Sequence, residues 1–542
     1  MTKKKFFLQG AALTGVSLFL RVTNMGYRSY LSQQLGAAGM GLYQLIFSIF
    51  ALTVTLSTSG ISLAVTRMVS AAIASGRREV IRSTVARCFA FCLSISLGIA
   101  LGLFFLAEPA AALFLGDRAA APCLRILGVG LPFMSLCTCM KGYFLAVDES
   151  LSTAASDTLE QILTILATVF LFWHFAPQGI QAACLAAMAA STLGEAASFL
   201  TSWAAYRRSL QRNAPGRERA RGVLRGLCHI ALPCTLSSAA RSLLNTGENL
   251  LIPRELQKFG LARGAALSQY GLLQGMAMPM LYFPSSFLTS FASLLIPKIA
   301  RERELRHRKA VAYIAGKAVR WALAFGLFFA ALFFVFGDSW GAAFYRSGSA
   351  GAYLRLLAPL APLLYLDVVV DSLLKGMDEQ LNSMKYNFAD SFLRVVLVLC
   401  LLRFYGMESY VAILFFSTIF NAALSLRRLL KVTSLRLSLV WHVALPLGWA
   451  AGSVLLGRAL LGGASLGNPF LRLLGETALC GALFAGGWRC LCLAEARWAK
   501  KGREKAGPAQ AGPADGKRDF IGQGRRRRQP RRRKPGRCSP PR

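Results

Sequence analysis

The sequence predicts an all-α polytopic membrane protein with about 14 transmembrane helices, arranged as two six-helix lobes in a parallel repeat plus two C-terminal helices. Composition is the first observation: of 542 residues, 55% are hydrophobic and 16% are charged, with a mean hydropathy of +0.47. Apolar runs of ~20 residues, the length that crosses a bilayer, recur along nearly the whole chain. An internal repeat is the third observation. Together they exclude a soluble enzyme.

The predicted spans follow from scanning the chain for apolar windows of ~20 residues. The Lys-rich start runs directly into the first span without a short apolar core and cleavage site, so we expect that span to be retained. In chain order the spans are 6–30, 41–63, 85–107, 122–145, 155–175, 179–205, 226–248, 266–295, 311–336, 354–374, 384–404, 409–428, 437–459 and 470–493.

The internal repeat relates spans 1–6 to spans 7–12. Because six is even, the two units point the same way across the membrane, and a substrate site is expected at their interface. The paired motifs, all at an offset of 230, are Leu-Arg-Ile-Leu at 124–127 with Pro132 and Leu-Arg-Leu-Leu at 354–357 with Pro362, and Asp148-Glu149 and Asp378-Glu379. The predicted regions are the N-lobe at 1–206, a basic linker at 207–225, the C-lobe at 226–430, spans 13 and 14 at 431–494, and a disordered basic tail at 495–542.

Basic residues are distributed unevenly between the loops on the two sides. About 30 Lys or Arg fall on one side before the tail and about 11 on the other, which predicts a cytoplasmic-membrane protein with both termini and the linker in the cytoplasm. The net charge of +37 therefore favours contact of the loops and tail with anionic membrane lipids. Nucleic acid is not an expected partner, because no aromatic residues interleave with the arginines of the tail.

Three arginines inside predicted spans are candidate ligands for an anionic substrate. Arg21 and Arg28 are two helical turns apart, so their guanidinium groups share one face of span 1 about 10 Å apart. Arg241 lies at the corresponding middle position of span 7. Guanidinium groups bind phosphate oxygens in a bidentate manner and stay charged when desolvated. The alternatives are that Arg28 extends to the membrane interface and that Arg21 pairs with a carboxylate of a neighbouring span.

Acidic residues inside the spans are candidates for ion or proton coupling. Asp367 and Asp371 share one helix face and form the leading pair, with single candidates at Glu160, Glu195 and Glu248. The alternative is that these carboxylates neutralise cations of adjacent helices. Asp390 and Arg394 have the i, i+4 spacing of an intrahelical ion pair. No metal-ligand spacing or nucleotide-binding glycine loop occurs in the sequence, and we expect no cofactor.

Several segments resemble the stage V sporulation protein B and polysaccharide-export family of the multidrug/oligosaccharidyl-lipid/polysaccharide (MOP) exporter superfamily. The resemblance runs over about residues 5–435. The segments that carry it are 27–31, 35–45 and 59–61 near the first two spans, 251–256 and 295–298 around spans 7 and 8, and 353–360 in span 10.

The resemblance implies two six-helix lobes around a V-shaped cavity and transport of undecaprenyl-linked sugars by alternating access. Arg21 and Arg28 match in position the span 1 arginines that line the cavity of related lipid II flippases, although their spacing here is seven residues. The implied partner is an undecaprenyl-pyrophosphate-linked saccharide similar to lipid II. Spans 13 and 14 would form a hydrophobic groove for the polyprenyl tail, whereas the Arg-rich tail departs from the family pattern.

We therefore expect a flippase for a peptidoglycan precursor or polysaccharide unit in spore cortex or cell-wall synthesis, and not an enzyme. One alternative is a cation-coupled multidrug antiporter of the same superfamily. Such an antiporter would require carboxylates facing its site, and span 1 has no Asp or Glu between Phe6 and Leu35. A second alternative is a membrane scaffold that recruits cell-wall enzymes through its basic loops and tail without transporting anything.

Overall fold

The computed structural model describes residues 3–213, 216, 218, 222–435, 438, 440–461 and 469–505, and all the regular structure in them is helical. The helices are α1 Lys3–Thr58, α2 Ile61–Ala74, α3 Ile81–Phe105, α4 Ala107–Ala110, α5 Ala121–Ala146, α6 Ser150–Phe175, α7 Ile180–Asn213, α8 Val223–Lys258, α9 Arg263–Tyr270, α10 Met278–Tyr282, α11 Ser285–Glu304, α12 Arg308–Tyr345, α13 Gly348–Leu357, α14 Ala361–Gly376, α15 Gln380–Thr433, α16 Leu445–Leu461 and α17 Pro469–Lys505. Short 3₁₀ and π-helical turns connect several of them.

The described residues contain eleven helices long and apolar enough to cross a membrane, and one further pair bent by 50° between α10 and α11. Two of the long helices are double, because each breaks at a glycine. Gly36 and Gly406 have φ values of 65° and 63°, a left-handed conformation that glycine adopts without strain. Taking the bent pair as one span and dividing both double helices gives fourteen. The predicted fold class is confirmed.

Successive spans run in opposite directions, so their connections alternate between two sides of the membrane. We call the side that carries Arg77 and Arg78 the basic side. The breaks at Gly36 and Gly406 lie on the opposite side. This alternation places the turn after α8 on the opposite side and the turn after α11 on the basic side.

The internal repeat extends to local geometry. Asp148 and Asp378, at the same offset of 230, both have a φ of 60° at the turn after the fourth span of each lobe. Each lobe also has an ion pair between its third and fourth spans at equivalent positions. The two pairs are Arg125–Glu108 and Arg355–Asp338, with N–O distances of 2.7 Å in both.

The two lobes meet where α1 packs against α8 and α9. The backbones approach closely at two glycines. A Cβ atom at Gly41 would overlap the Leu267 carbonyl, and one at Gly271 would overlap the Ala37 carbonyl. The interface therefore lies between spans 1 and 2 of the N-lobe and spans 7 and 8 of the C-lobe, as the repeat predicts.

The predicted linker and tail are partly helical in the described residues. Helix α7 continues to Asn213 and α8 begins at Val223, so only the middle of the predicted linker at 207–225 lies between helices. The chain divides into two compact units, of which the first ends at Trp488 and the second begins at Arg489. In the second unit α17 continues to Lys505, into the predicted tail. Residues 506–542, with most of that tail, lie outside the described residues.

Candidate anion-binding cavity at the lobe interface

A cavity of about 410 Å³ lies between the first half of α1 and the spans that follow α8. Its walls come from both lobes, which is where a parallel repeat places a transport site. From the N-lobe its lining residues are Arg21, Asn24, Met25, Arg28 and Gln44, and from the C-lobe Gln274, Met278, Pro279, Tyr282, Phe283 and Ser286.

Arg21 and Arg28 both line this cavity, so the two-turn spacing does place them on one face. Neither makes an ion pair with any carboxylate among the described residues. Arg28 instead lies close enough to the phenol groups of Tyr27, Tyr43 and Tyr345 to interact with them electrostatically. Because no described carboxylate pairs with these two guanidinium groups, the binding of an anion at this position is electrostatically favourable.

Neutral amides supply the other polar groups of the cavity. Asn24, Gln44 and Gln274 line it together with the Ser286 hydroxyl. The side-chain oxygen of Gln44 is buried and accepts no hydrogen bond from the described residues. Because a buried polar atom without a partner costs ~1–3 kcal/mol, this oxygen favours a ligand or water that donates to it. Sequence reasoning missed these amides, although glutamines inside apolar spans were a visible signal.

A chain of polar contacts leads from the cavity wall into the C-lobe. Gln274 Nε2 donates to the Tyr410 hydroxyl at 2.7 Å, and that hydroxyl donates to Glu248 Oε1 at 3.2 Å. Arg394 lies 3.6 Å from Glu248 and 3.4 Å from Asp390. The i, i+4 pair of Asp390 and Arg394 is thus confirmed, and Glu248 extends it to a second helix.

The predicted aspartate pair belongs to the same region of the C-lobe. Asp367 accepts from Asn421 at 3.1 Å, and Asp371 accepts from Ser383 at 2.5 Å. Arg241 is exposed on α8, near enough to Asp367 and Asp390 to interact with both electrostatically. It is not among the residues that line the cavity of Arg21 and Arg28. The structure therefore brings two of the three predicted arginines together and places the third beside the carboxylates.

The glutamates predicted in the N-lobe lie in a second polar cluster between α5, α6 and α7. Lys141 Nζ and an Asp157 oxygen are 2.7 Å apart. Nearby, the carboxyl groups of Glu160 and Glu195 lie close enough to interact electrostatically with each other and with Lys141.

On the side opposite the basic side, the lobes are joined by two sets of polar contacts related by the repeat. We call these contacts the latches. Gln33 of the N-lobe donates to the Phe344 carbonyl at the end of α12, at 3.0 Å, and Ser29 donates to the same oxygen. Arg263, which corresponds to Gln33 at an offset of 230, donates to the Leu115 carbonyl at 3.2 Å. Its guanidinium also lies 3.2 Å from Asp117.

The carboxyl group of Asp117, in the second latch, is ionised at neutral pH. Partial burial works against the charged carboxylate, but the Ala119 amide, Arg263 and Gln181 outweigh it and hold the pKa of Asp117 below its ordinary value. On the basic side the lobes also touch, where the Thr235 hydroxyl donates to the Ser59 carbonyl at 2.6 Å. Polar contacts thus join the lobes on both sides of the cavity.

Comparison with known proteins assigns the chain to a family. The sequence profile of the family described as Polysaccharide biosynthesis protein matches residues 7–303, more than half of the chain. The chain belongs to this family. Stage V sporulation protein B of Bacillus subtilis (strain 168) is 27% identical over 386 residues, which cover 69% of this chain and 74% of that relative. The resemblance in the sequence motifs is confirmed.

Two solved structures share the fold. The lipid II flippase MurJ, in an inward closed conformation, matches with a TM-score of 0.65 and 13% identity over 89% of this chain and 100% of its own. An inward-facing multidrug resistance MATE family transporter of the MOP superfamily matches with a TM-score of 0.59 and 15% identity, over 78% and 97% of the two chains. The family and the candidate spans make this chain a multi-pass membrane protein of the polysaccharide biosynthesis family, and its fold is shared with the transporters of the two solved structures.

Proposed function

We propose that this chain flips a lipid-linked saccharide across the cytoplasmic membrane by alternating access, in cell-wall or spore cortex synthesis. The observation that carries the proposal is the pair Arg21 and Arg28, which line one cavity at the lobe interface with no ion pair among the described residues. The carrier is a polyprenyl pyrophosphate such as that of lipid II. The basic side, with both termini, faces the cytoplasm.

The chemistry of the cavity favours an anionic substrate. Two guanidinium forks bind phosphate oxygens in a bidentate manner and lose little of their charge when desolvated. The amides of Asn24, Gln44 and Gln274 suit the hydroxyl and acetamido groups of a sugar, since they both donate and accept. None of the described residues that line the cavity is a carboxylate, which speaks against the alternative of an antiporter for organic cations.

Coupling to an ion runs through the C-lobe in this proposal. Gln274 and Tyr410 connect the cavity wall to Glu248, and Arg394 connects Glu248 to Asp390. A cation or proton arriving at Asp367 or Asp371 would shift Arg241 and this network, and with it the cavity wall. Such a shift drives transport only if the two access states differ in affinity for the ion.

The N-lobe carboxyl pair is the proposed second coupling site. The carboxyl groups of Glu160 and Glu195 lie close together, and Lys141 lies near them with Asp157 as its partner. Two ionised carboxyl groups so close together are unfavourable in a low-dielectric interior, so in this proposal the pair takes up a proton. Opening the cluster to water on one side would release the proton there.

The decisive experiment is a flipping assay in liposomes that contain the purified protein. Lipid II is compared with a neutral glycolipid that bears the same sugars without phosphate. We expect transport of lipid II, at least about tenfold slower with Arg21→Ala and intermediate with Arg21→Lys, because an ammonium cannot reproduce the planar fork. Arg28→Ala should have a similar but milder effect.

The matched control is Arg403→Ala, which removes an exposed arginine that packs on Phe404 away from the cavity. It should flip lipid II at the wild-type rate. Full flipping by Arg21→Ala at normal abundance in the membrane would refute the site. Equal transport of the neutral glycolipid would refute the anionic substrate, and no transport of either lipid would leave the scaffold as the better explanation.

A further inference from the structure

A second and larger cavity, of about 920 Å³, lies outside the lobe interface, between α12, α16 and α17. It is at the end of these spans opposite the basic side, since α12 and α16 end there and α17 begins there. Two arginines face it from different helices, Arg458 in the last turn of α16 and Arg472 in the first turn of α17. Small side chains of Ser339, Ala342 and Ala343 line it on α12.

Arg472 is oriented by a carboxylate. Its Nε atom donates to Glu476 Oε1 at 3.0 Å, and Glu476 is 6% exposed. A cation in the first turn of a helix lies near the positive end of the helix dipole, which is unfavourable by ~0.3–1 kcal/mol. Arg458 makes no ion pair with the described residues. Among the described residues that line the cavity there are two guanidinium groups and one carboxylate, so this lining carries a net positive charge.

The surroundings of the cavity are apolar and face outward. Leu455, Leu456, Leu460 and Leu471 on the same two helices are each more than half exposed, as expected of side chains that contact lipid tails. Arg458 is three residues from the end of its helix, about 5 Å along the axis, so it lies near the depth of lipid headgroups. Positive charge at that depth beside an apolar surface matches the chemistry of a phospholipid.

We propose that this cavity binds the phosphate group of a membrane lipid in the leaflet opposite the basic side, with Arg458 and Arg472 as ligands and the acyl chains along the exposed leucines. A guanidinium pair binds a phosphate through charge-assisted hydrogen bonds, and the shared phosphate also satisfies the excess charge. The site is independent of Arg21 and Arg28 and of any transported substrate.

The test titrates the detergent-purified full chain with three probes: dioctanoyl phosphatidic acid, dioctanoylglycerol as its match without phosphate, and inorganic phosphate. We expect the phosphatidic acid to bind most tightly and its dissociation constant to rise about tenfold in Arg458→Gln. Arg403→Gln, an exposed arginine near the same side of the membrane, is the control and should bind like the wild type.

Each other result overturns the proposal. Unchanged binding in Arg458→Gln, or an equal loss in Arg403→Gln, would mean that lipids contact the surface without a site. Equal affinity for dioctanoylglycerol would reduce the cavity to an apolar groove, and equal affinity for inorganic phosphate would make the ligand a soluble anion. Since Arg472→Gln leaves Glu476 buried and unpaired, it is tested as Arg472→Gln/Glu476→Gln, which should also weaken phosphatidic acid binding.

Discussion

The polar clusters of the two lobes occupy equivalent positions of the repeat but differ in their charges. In the N-lobe an ammonium pairs with an aspartate beside two glutamates, whereas in the C-lobe a guanidinium joins two carboxylates of different helices. At the offset of 230, the corresponding residues are Lys141 and Asp371, Asp157 and Asn387, and Glu160 and Asp390.

The two clusters differ in how deeply they are buried and in how they are connected to the cavity. The carboxylates that Arg394 joins are almost fully buried, and hydrogen bonds through Tyr410 and Gln274 connect them to the cavity wall. The Lys141–Asp157 pair is about one third exposed, with side-chain values of 33% and 34%. One architecture therefore supports two roles: a deep cluster that can respond to the substrate, and a shallower one that is partly exposed.

The largest effect is expected from removing Arg394. Arg394→Leu leaves Glu248 and Asp390 buried without their cation, and breaking a buried pair in this way costs ~3–5 kcal/mol. Lys141→Leu should destabilise the protein less, because water can solvate the remaining carboxylate of Asp157. The measurement is the amount of folded protein in the membrane and its thermal unfolding in detergent.

A compensating variant separates charge from packing at the same position. Arg394→Leu/Glu248→Gln/Asp390→Asn should recover most of the lost stability, since the uncompensated charges are gone. If Arg394→Leu and Lys141→Leu destabilise equally, the contrast between deep and shallow clusters is wrong.

The next effect concerns transport without loss of stability. Tyr410→Phe keeps the ring but removes the hydroxyl that links Gln274 to Glu248, so lipid flipping should fall several-fold while abundance changes little. Tyr143→Phe is the matched variant in the N-lobe, where the buried hydroxyl lies 3.2 Å from the Ser209 hydroxyl. We expect Tyr143→Phe to flip normally, and equal losses in the two variants would contradict a role specific to the C-lobe.

The sequence predicts features that depend on residues close together in the chain, and does not predict contacts between residues far apart in it. The spans, the repeat and the shared face of Arg21 and Arg28 depend on local periodicity, so the sequence predicts them. The pair of Asp390 and Arg394 is also local. Contacts between helices, such as that of Glu248 with Arg394, depend on packing that no spacing reports. Arg241 was expected in the cavity because it lies in the middle of span 7, but its neighbours on α14 and α15 are carboxylates.

A smaller effect is expected at the latches opposite the basic side. Arg263→Gln should break the contact with Asp117, and Gln33→Leu the contact with the Phe344 carbonyl, so the two together should favour opening on that side. A cysteine at Ser286 in the cavity would then react faster with an impermeant maleimide added there. Unchanged labelling in the double variant would show that these contacts do not limit opening.

The same latch predicts the effect of pH. The lowered pKa of Asp117 means that its pairing stabilises the closed arrangement fully above the ordinary carboxyl value of ~3.9, and that this contribution is lost only as pH falls through the lower folded pKa. Titration of Asp117 should therefore have no effect on maleimide labelling through this side between about pH 5 and 8. A rise in labelling within that window that Asp117→Asn abolishes would contradict the assignment.

The smallest effect is expected at the two ion pairs that the repeat places between the third and fourth spans of each lobe. The side chains of Arg125 and Glu108 are 37% and 63% exposed, and those of Arg355 and Asp338 are 50% and 54% exposed. Exposed pairs contribute ~0–1 kcal/mol, because solvent and salt screen them and holding both side chains costs entropy. Arg125→Gln and Arg355→Gln should each lower the thermal midpoint slightly and equally, with a difference from the wild type that shrinks at high salt. A large loss in only one lobe would show that the equivalent pairs have diverged in the way the buried clusters have, and would extend the contrast between the lobes to their surface.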